Sequence, residues 1–283
     1  VSSAPTWSLG LPILAMAVLA VVGLRCSLLV TAVLVSLAMA ALLGFVAWGF
    51  GAVPLETATV ATSSPPSKID LVHAGGLVFV AFTGYGRIAT LGEEIRDPAR
   101  SIPTAVVITV LVSATLYLLV GLAATRIAGG AAFGDLAGAA DGPLITIADA
   151  AGGSWLVLPL AIGACAAMGG VLLNLILGLS RVVLAMGRRH DLPPALAHVG
   201  KGEPVIAIAV VAVTVLIVAT TGSILTAWSG SAAAVLAYYA ITNLAALRMS
   251  LRDRRRTAAA ASGLGALACI GVACSLPAAA WGP

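Results

Sequence analysis

No charged residue stands between Arg25 and Glu56. Inside that interval, "SLLVTAVLVSLAMAALLGFVAWG", residues 27–49, is an apolar run of bilayer-crossing length. A helix rising ~1.5 Å per residue needs about 20 residues to cross a ~30 Å hydrocarbon core. Such a run leaves few folds open, because lipid offers the backbone no hydrogen-bond partners and a spanning segment must satisfy its own. The pattern recurs along the chain, and spans are expected near 8–24, 27–49, 71–95, 103–125, 155–186, 204–222, 223–247 and 258–281. Charged residues make up 9% of the 283, against about 25% in soluble domains. The expected fold class is therefore an all-α polytopic membrane protein with about eight transmembrane helices.

The basic residues orient these spans. Arg25, Arg96 and Arg100, the group from Arg181 to Lys201, and the cluster from Arg248 to Arg256 fall on one side. Lys68 and Arg126 fall on the other, and Arg87 lies within a span. Basic loops mark the cytoplasmic face, so the first group is assigned to the cytoplasm. The excess of positive charge is a topology signal, and nucleic acid is not an expected partner. Eight spans put both ends of the chain on the opposite face, which gives the expectation that the chain lacks its true beginning. Between spans, "DGPLITIADAAGGS" is expected to hold a short surface helix after Pro143, ended by Gly152 and Gly153.

The third span is interrupted. Leu71 to Phe82 covers ~18 Å of helix, which puts Thr83, Gly84, Tyr85 and Gly86 near the membrane middle. Glycine weakens a helix by about 1 kcal/mol relative to alanine, so the triplet Gly84-Tyr85-Gly86 permits unwinding. Unwound backbone at that depth survives only inside protein or beside a watery cavity, and broken helices of this kind build midplane substrate sites. Close helix packing is the alternative use of the two glycines, and the expected use of Gly169 and Gly170. Arg87 follows about one turn later; it faces a substrate carboxylate, backbone carbonyls or Glu94, or it snorkels to the headgroups. Glu93, Glu94 and Arg96 mark the exit from the membrane. Asp97-Pro98 is expected to end the helix, with Ser101 capping the next one and Pro103 in its first turn. Asn174 and Asn243, inside spans, are expected to hydrogen-bond between helices.

"FVAFTGYGRIATLGEEIRDPARSIPTAV", residues 79–106, resembles the sixth-to-seventh helix signature of amino acid permeases in the amino acid–polyamine–organocation (APC) superfamily. "SRVVLAMGRRHDLPPALAHV", residues 180–199, is similar to that family's eighth helix end, and "LAYYAITNLAALRM", residues 236–249, to its tenth. "VLAVVGLRCSLLVTAVLV", residues 18–35, is similar to the join of its fourth and fifth helices. The resemblance implies a five-plus-five inverted-repeat transporter fold, partial here and with a discontinuous helix near 71–95. One transmembrane transporter domain covers 1–283: residues 1–49 close the first repeat, 71–248 form the second, and 258–281 add a helix. Family helices one to three and twelve have no counterpart, so the chain is expected to be a fragment. The lysine that some members carry in the fifth helix for proton coupling is absent from the second span.

The implied function is secondary active transport of amino acids or related amines by alternating access, incomplete in a truncated chain. The alternative is a truncated permease that transports nothing and serves as an assembly partner or a pseudogene product. By the resemblance, Phe82, Thr83, Gly84, Tyr85 and Gly86 bind substrate, while Arg87, Glu93 and Glu94 are assigned to gating or coupling. The coupling ion, a proton or sodium, is left open. His73, His190 and His198 are scattered and no cysteine pair has metal-ligand spacing, so neither enzyme chemistry, a metal nor a cofactor is expected. The expected location is the plasma membrane, with the lipid bilayer as partner.

Overall fold

A computed structural model describes residues 6–52, 75, 78, 81, 82, 84, 97–129, 142–200, 202–221 and 224–275. Among them the chain forms α1 (Thr6–Val22), α2 (Leu24–Gly51), α3 (Pro98–Ala128), α4 (Pro143–Ala150), α5 (Val157–Arg188), α6 (Val205–Thr221), α7 (Ile224–Arg252) and α8 (Arg256–Ser275). Short 3-10 turns cover Ser154–Leu156 and Pro194–Ala197. Strands are absent from the described residues, as expected of a polytopic helical membrane protein. Seven of the eight expected spans coincide with helices. The third lies outside the described residues except at five positions. Among the described residues, five helical stretches are long and apolar enough to cross a membrane: Arg25–Gly51, Pro98–Ala128, Ser154–Arg188, Ala234–Arg252 and Arg256–Ala273. Gly10–Val22 and Val205–Thr220 are apolar but shorter.

The chain divides into two compact units, Val1–Ser63 with Gly86–Thr220, and Ser64–Tyr85 with Thr221–Pro283. The first is organised around α5, which packs along α2 and α1, while α2 also packs on α3. The buried face of α5 runs through Leu160, Gly163, Ala166, Gly170, Leu173, Leu177, Ser180, Leu184 and Gly187, steps of three and four residues that keep one stripe inward. Phe45, Ala123, Ile127, Ile147, Leu156 and Leu160 form a core where α2, α3 and α4 meet the start of α5. Ala17, Ala20, Leu173, Ile176, Ile208 and Val211 form another where α1 and α6 flank its second half. Outward-facing Leu111, Leu118, Leu158 and Met168 are each more than 60% exposed, the side lipid would cover.

Small side chains set the α2–α5 distance. A Cβ on Gly163 would stand 2.5 Å from the Cβ of Ala41. The expected glycine pair is the looser contact: Cβ atoms on Gly169 and Gly170 would meet Leu34 at 3.8 and 3.7 Å, ordinary van der Waals spacing. The close-packing role expected of Gly169 and Gly170 thus belongs to Gly163, one further pair of turns along the same stripe.

Other expectations are corrected locally. α3 starts at Pro98, not at Pro103, and Ser101 is a first-turn residue whose N–H donates to the Asp97 carbonyl at 3.0 Å. Proline at the first helical position loses no bond, since that N–H has no intrahelical partner. Asp97 adopts the left-handed region, φ 52°, to turn the chain into it. α4 appears where a short helix was expected, but Ile147 and Ala148 are fully buried, so it is a core element. Gly152, at φ 79°, closes α4: its N–H donates to Asp149 O at 3.1 Å and that of Gly153 to Ala148 O at 2.8 Å. This is the paired Schellman arrangement that satisfies terminal carbonyls.

The second unit contains the α7–α8 hairpin, joined by Asp253, Arg254 and Arg255, with Leu236, Tyr239 and Cys269 at its core. Asn243 and Asn174 do not make the expected interhelical hydrogen bonds. Each Nδ2 donates to a carbonyl one turn back in its own helix, Tyr239 O and Gly170 O, both at 2.9 Å. Asn243 still reaches across the hairpin by shape, for a Cβ on Gly265 would lie 2.6 Å from its Oδ1.

The two α5 glycines make opposite predictions. Gly163→Ala forces a clash with Ala41 and is expected to cost about 1–3 kcal/mol as an overpacked contact. Gly169→Ala meets only ordinary contact and gains helix propensity of up to about 1 kcal/mol. Thermal unfolding in detergent checks this: the midpoint falls for the first variant and holds or rises for the second.

Candidate functional site

The interrupted span is described at Gly75, Val78, Ala81, Phe82 and Gly84. Gly75, Val78 and Ala81 are α-helical, Phe82 lies in a turn and is half-buried, and Gly84 is exposed in 3-10 geometry. A Cβ on Gly84 would meet nothing within 4 Å, and its φ lies outside the left-handed region. Among the described residues, nothing therefore obstructs a side chain there. Thr83, Tyr85, Gly86, Arg87, Glu93 and Glu94 lie outside the described residues.

A second polar grouping sits at the arginine-rich end of the first unit, where α1 passes into α2 through Gly23 alone. Gly23 takes φ 129° and ψ 158°, a conformation suited to glycine. One turn on, Ser27 is fully buried, and its hydroxyl is aimed at Leu19 O at 3.0 Å and Gly23 O at 3.1 Å. Gly23 O already accepts the Ser27 N–H at 3.1 Å, so the hydroxyl proton is available to Leu19 O, and Ser27 ties the last turn of α1 to the first turn of α2. The contacts of Ala41 with Gly163 and Leu34 with Gly170 share one antiparallel register, which brings Gly23 level with Arg181 on α5.

Arg181 pairs with Glu203, its guanidinium nitrogen 3.8 Å from the carboxylate, with side chains only 20% and 14% exposed. The neighbouring Arg189–Asp191 pair, at 3.9 Å, is 82% and 56% exposed. Solvent and salt screen the second pair to near zero, while the first is shielded and contributes more. Arg181 was legible in sequence only as a topology charge. Glu203 carried one signal: it is a lone acid in the Gly-rich turn "GKGEP" of a basic loop.

Between α2, α4 and α5 lies an apolar recess of about 240 Å³, lined by Ala38, Ala41, Leu42, Pro143, Gly163 and Ala167 among others. It offers no charged group to orient a zwitterion. Among the described residues, no cluster of His, Cys, Asp and Glu could hold a metal ion.

Residues 9–283 match the amino acid permease family. An uncharacterised transporter of Mycobacterium tuberculosis is 36% identical over 257 residues, covering 90% of this chain and 57% of that protein. The branched-chain amino acid permease BcaP of Bacillus subtilis is 32% identical over 126 residues, 44% of this chain and 26% of BcaP. Cationic amino acid transporter 5 of Arabidopsis thaliana is 28% identical over 177 residues, 60% of this chain and 29% of that protein. The chain spans a little over half the length of the mycobacterial relative. With nearly its whole length matched, the chain belongs to the amino acid permease family.

Proposed function

We propose that this chain contributes to secondary active transport of amino acids or related amines across a membrane by alternating access. The observation that carries the reading is local. Gly75, Val78 and Ala81 are α-helical, Phe82 lies in a turn and Gly84 is 3-10, in a sequence whose depth arithmetic puts that change near mid-membrane. Backbone groups released there need partners, and a substrate's ammonium and carboxylate groups supply them: carbonyls receive the first, N–H groups the second. In this reading Thr83, Gly84, Tyr85 and Gly86 bind the substrate backbone and Phe82 covers it. Arg87, Glu93 and Glu94 serve gating or coupling on the exit side. The basic loops face the cytoplasm, by charge asymmetry, and the membrane is the plasma membrane.

The substrate class follows from Arg87. A guanidinium about one turn from the break repels a second cation at low local dielectric, which favours neutral or acidic amino acids over cationic ones. The relative named a branched-chain amino acid permease agrees with a neutral substrate, while the relative named a cationic amino acid transporter points the other way, so the charge at Arg87 carries this reading.

Two measurements check these readings. Gly84→Val is expected to abolish uptake in proteoliposomes while expression and thermal stability hold, because no described neighbour lies within 4 Å of a Cβ there. Normal uptake by this variant would remove the break from the site. Radiolabelled uptake across a panel of amino acids at two pH values is expected to rank neutral substrates above lysine and arginine. A preference for lysine or arginine overturns the charge argument. Absence of uptake for every substrate, with the protein folded in the bilayer, overturns transport by this chain and favours the assembly-partner reading.

A further inference from the structure

The segment joining α5 to α6 is fastened along its length. His190, at φ 64°, donates its N–H to Gly187 O at 3.2 Å, and Asp191 donates to Met186 O at 3.0 Å, turning the chain back at the end of α5. The Pro194–Ala197 turn then lies directly on that helix: a Cβ on Gly187 would stand 2.9 Å from the backbone nitrogen of Ala197. Gly200 and Glu203 exchange backbone hydrogen bonds at 3.0 and 3.1 Å, closing a tight hairpin that presents the Glu203 side chain. Its carboxylate reaches Arg181 on α5, and its Oε1 lies 4.0 Å from where a Cβ on Gly23 would stand.

We propose that the α5–α6 connection, through its described residues 189–200 and 202–204, forms a clasp that holds the α1–α2 joint against α5, with the Arg181–Glu203 pair as its catch. The joint needs holding because Gly23 alone connects two helices and glycine gives it no intrinsic stiffness. The catch is partly shielded from water, so reversing either charge sets like charges against each other in a poorly solvated place. With the catch closed, the arginine-rich ends of α1, α2, α5 and α6 move as one body. With it open, Ser27 loses its cover and the joint hinges. The clasp is independent of which substrate the protein carries.

Ser27, fully buried in the joint, reports its opening. Cys26, Cys165, Cys269 and Cys274 are replaced by serine and Ser27→Cys is added. Labelling by a soluble maleimide is then followed in membrane vesicles open to the arginine-rich face. The parent should label slowly. Arg181→Glu and Glu203→Arg should each accelerate labelling about tenfold, and the two together should return it to within about threefold of the parent, as a direct pair requires. Unchanged rates in the single variants, or no recovery in the exchanged pair, overturn the proposal. Should the charge reversals fail to accumulate, Glu203→Gln with native cysteines and serine is read by hydrogen exchange. Faster exchange in both 198–205 and 19–27 supports the clasp, and a change confined to 198–205 overturns it.

Discussion

The contact of Ala41 with Gly163 sets how closely α2 and α5 approach, and the larger unit is arranged along the seam it creates. In lipid no hydrophobic force draws helices together, since the solvent is as apolar as leucine. Association depends instead on backbone approach, and only small residues permit it. Where the seam is tightest the pair is glycine on alanine, and Leu34 fills the wider gap opposite Gly169 and Gly170. Towards the arginine-rich end the seam changes character, with Ser27, Ser180 and Arg181 replacing aliphatic contacts. There Ser180 bonds within α5, Ser27 bonds at the α1–α2 joint, and Arg181 pairs with Glu203 of the following loop. This gradient follows the dielectric expected from mid-membrane to interface.

Helix ends carry a second constraint, because terminal carbonyls near a bilayer must find donors. Three ends solve it in the same way, with the N–H groups of the two residues beyond the last turn folding back. At α4 the left-handed residue is Gly152, which adopts it without steric cost. At α5 it is His190 and at α7 Arg254, at φ 64° and 55°, where a side chain costs about 1–2 kcal/mol. The strained residues are those with basic neighbours in sequence, Arg188 and Arg189 beside His190, and Arg252, Arg255 and Arg256 beside Arg254. Cationic side chains near a helix C-terminus interact favourably with its dipole, which offsets part of that strain.

The all-α fold and most helix boundaries were legible in the sequence, because helix in lipid is required by backbone chemistry rather than merely preferred. Partners were less legible. Asn174 and Asn243 looked like interhelical ties, but an amide can satisfy one donor on its own helix, and register rather than composition decides which happens. α4 reads as a surface segment in isolation; its burial depends on Phe45, Ala123 and Ile127 arriving from elsewhere. Pro98 could end one helix or begin another, and backbone geometry at Asp97 made the choice. The Arg181–Glu203 pair was invisible because its members lie in different elements and each has an ordinary explanation by itself. Of the interrupted span, the glycine-aromatic pattern was plain in sequence, while six of its eight assigned residues lie outside the described structure.

The glycines divide by what demands them, and the division bears on Gly84. Gly153 lies under the Trp48 ring, with a Cβ placed 2.6 Å from it; Gly163, Gly187 and Gly265 each face a comparable obstruction. Gly23, Gly142 and Gly152 hold positive φ angles. Each therefore has a folding reason to be glycine. Gly84 has neither reason among the described residues: the space beside it is open and its φ is ordinary. Gly44, Gly75, Gly121 and Gly271 are equally unobstructed, so what sets Gly84 apart is its place beside the change from α to 3-10 geometry, and that supports the proposal that something comes close to the backbone there. In an interrupted span, the ammonium and carboxylate of an amino acid are groups with reason to approach that backbone.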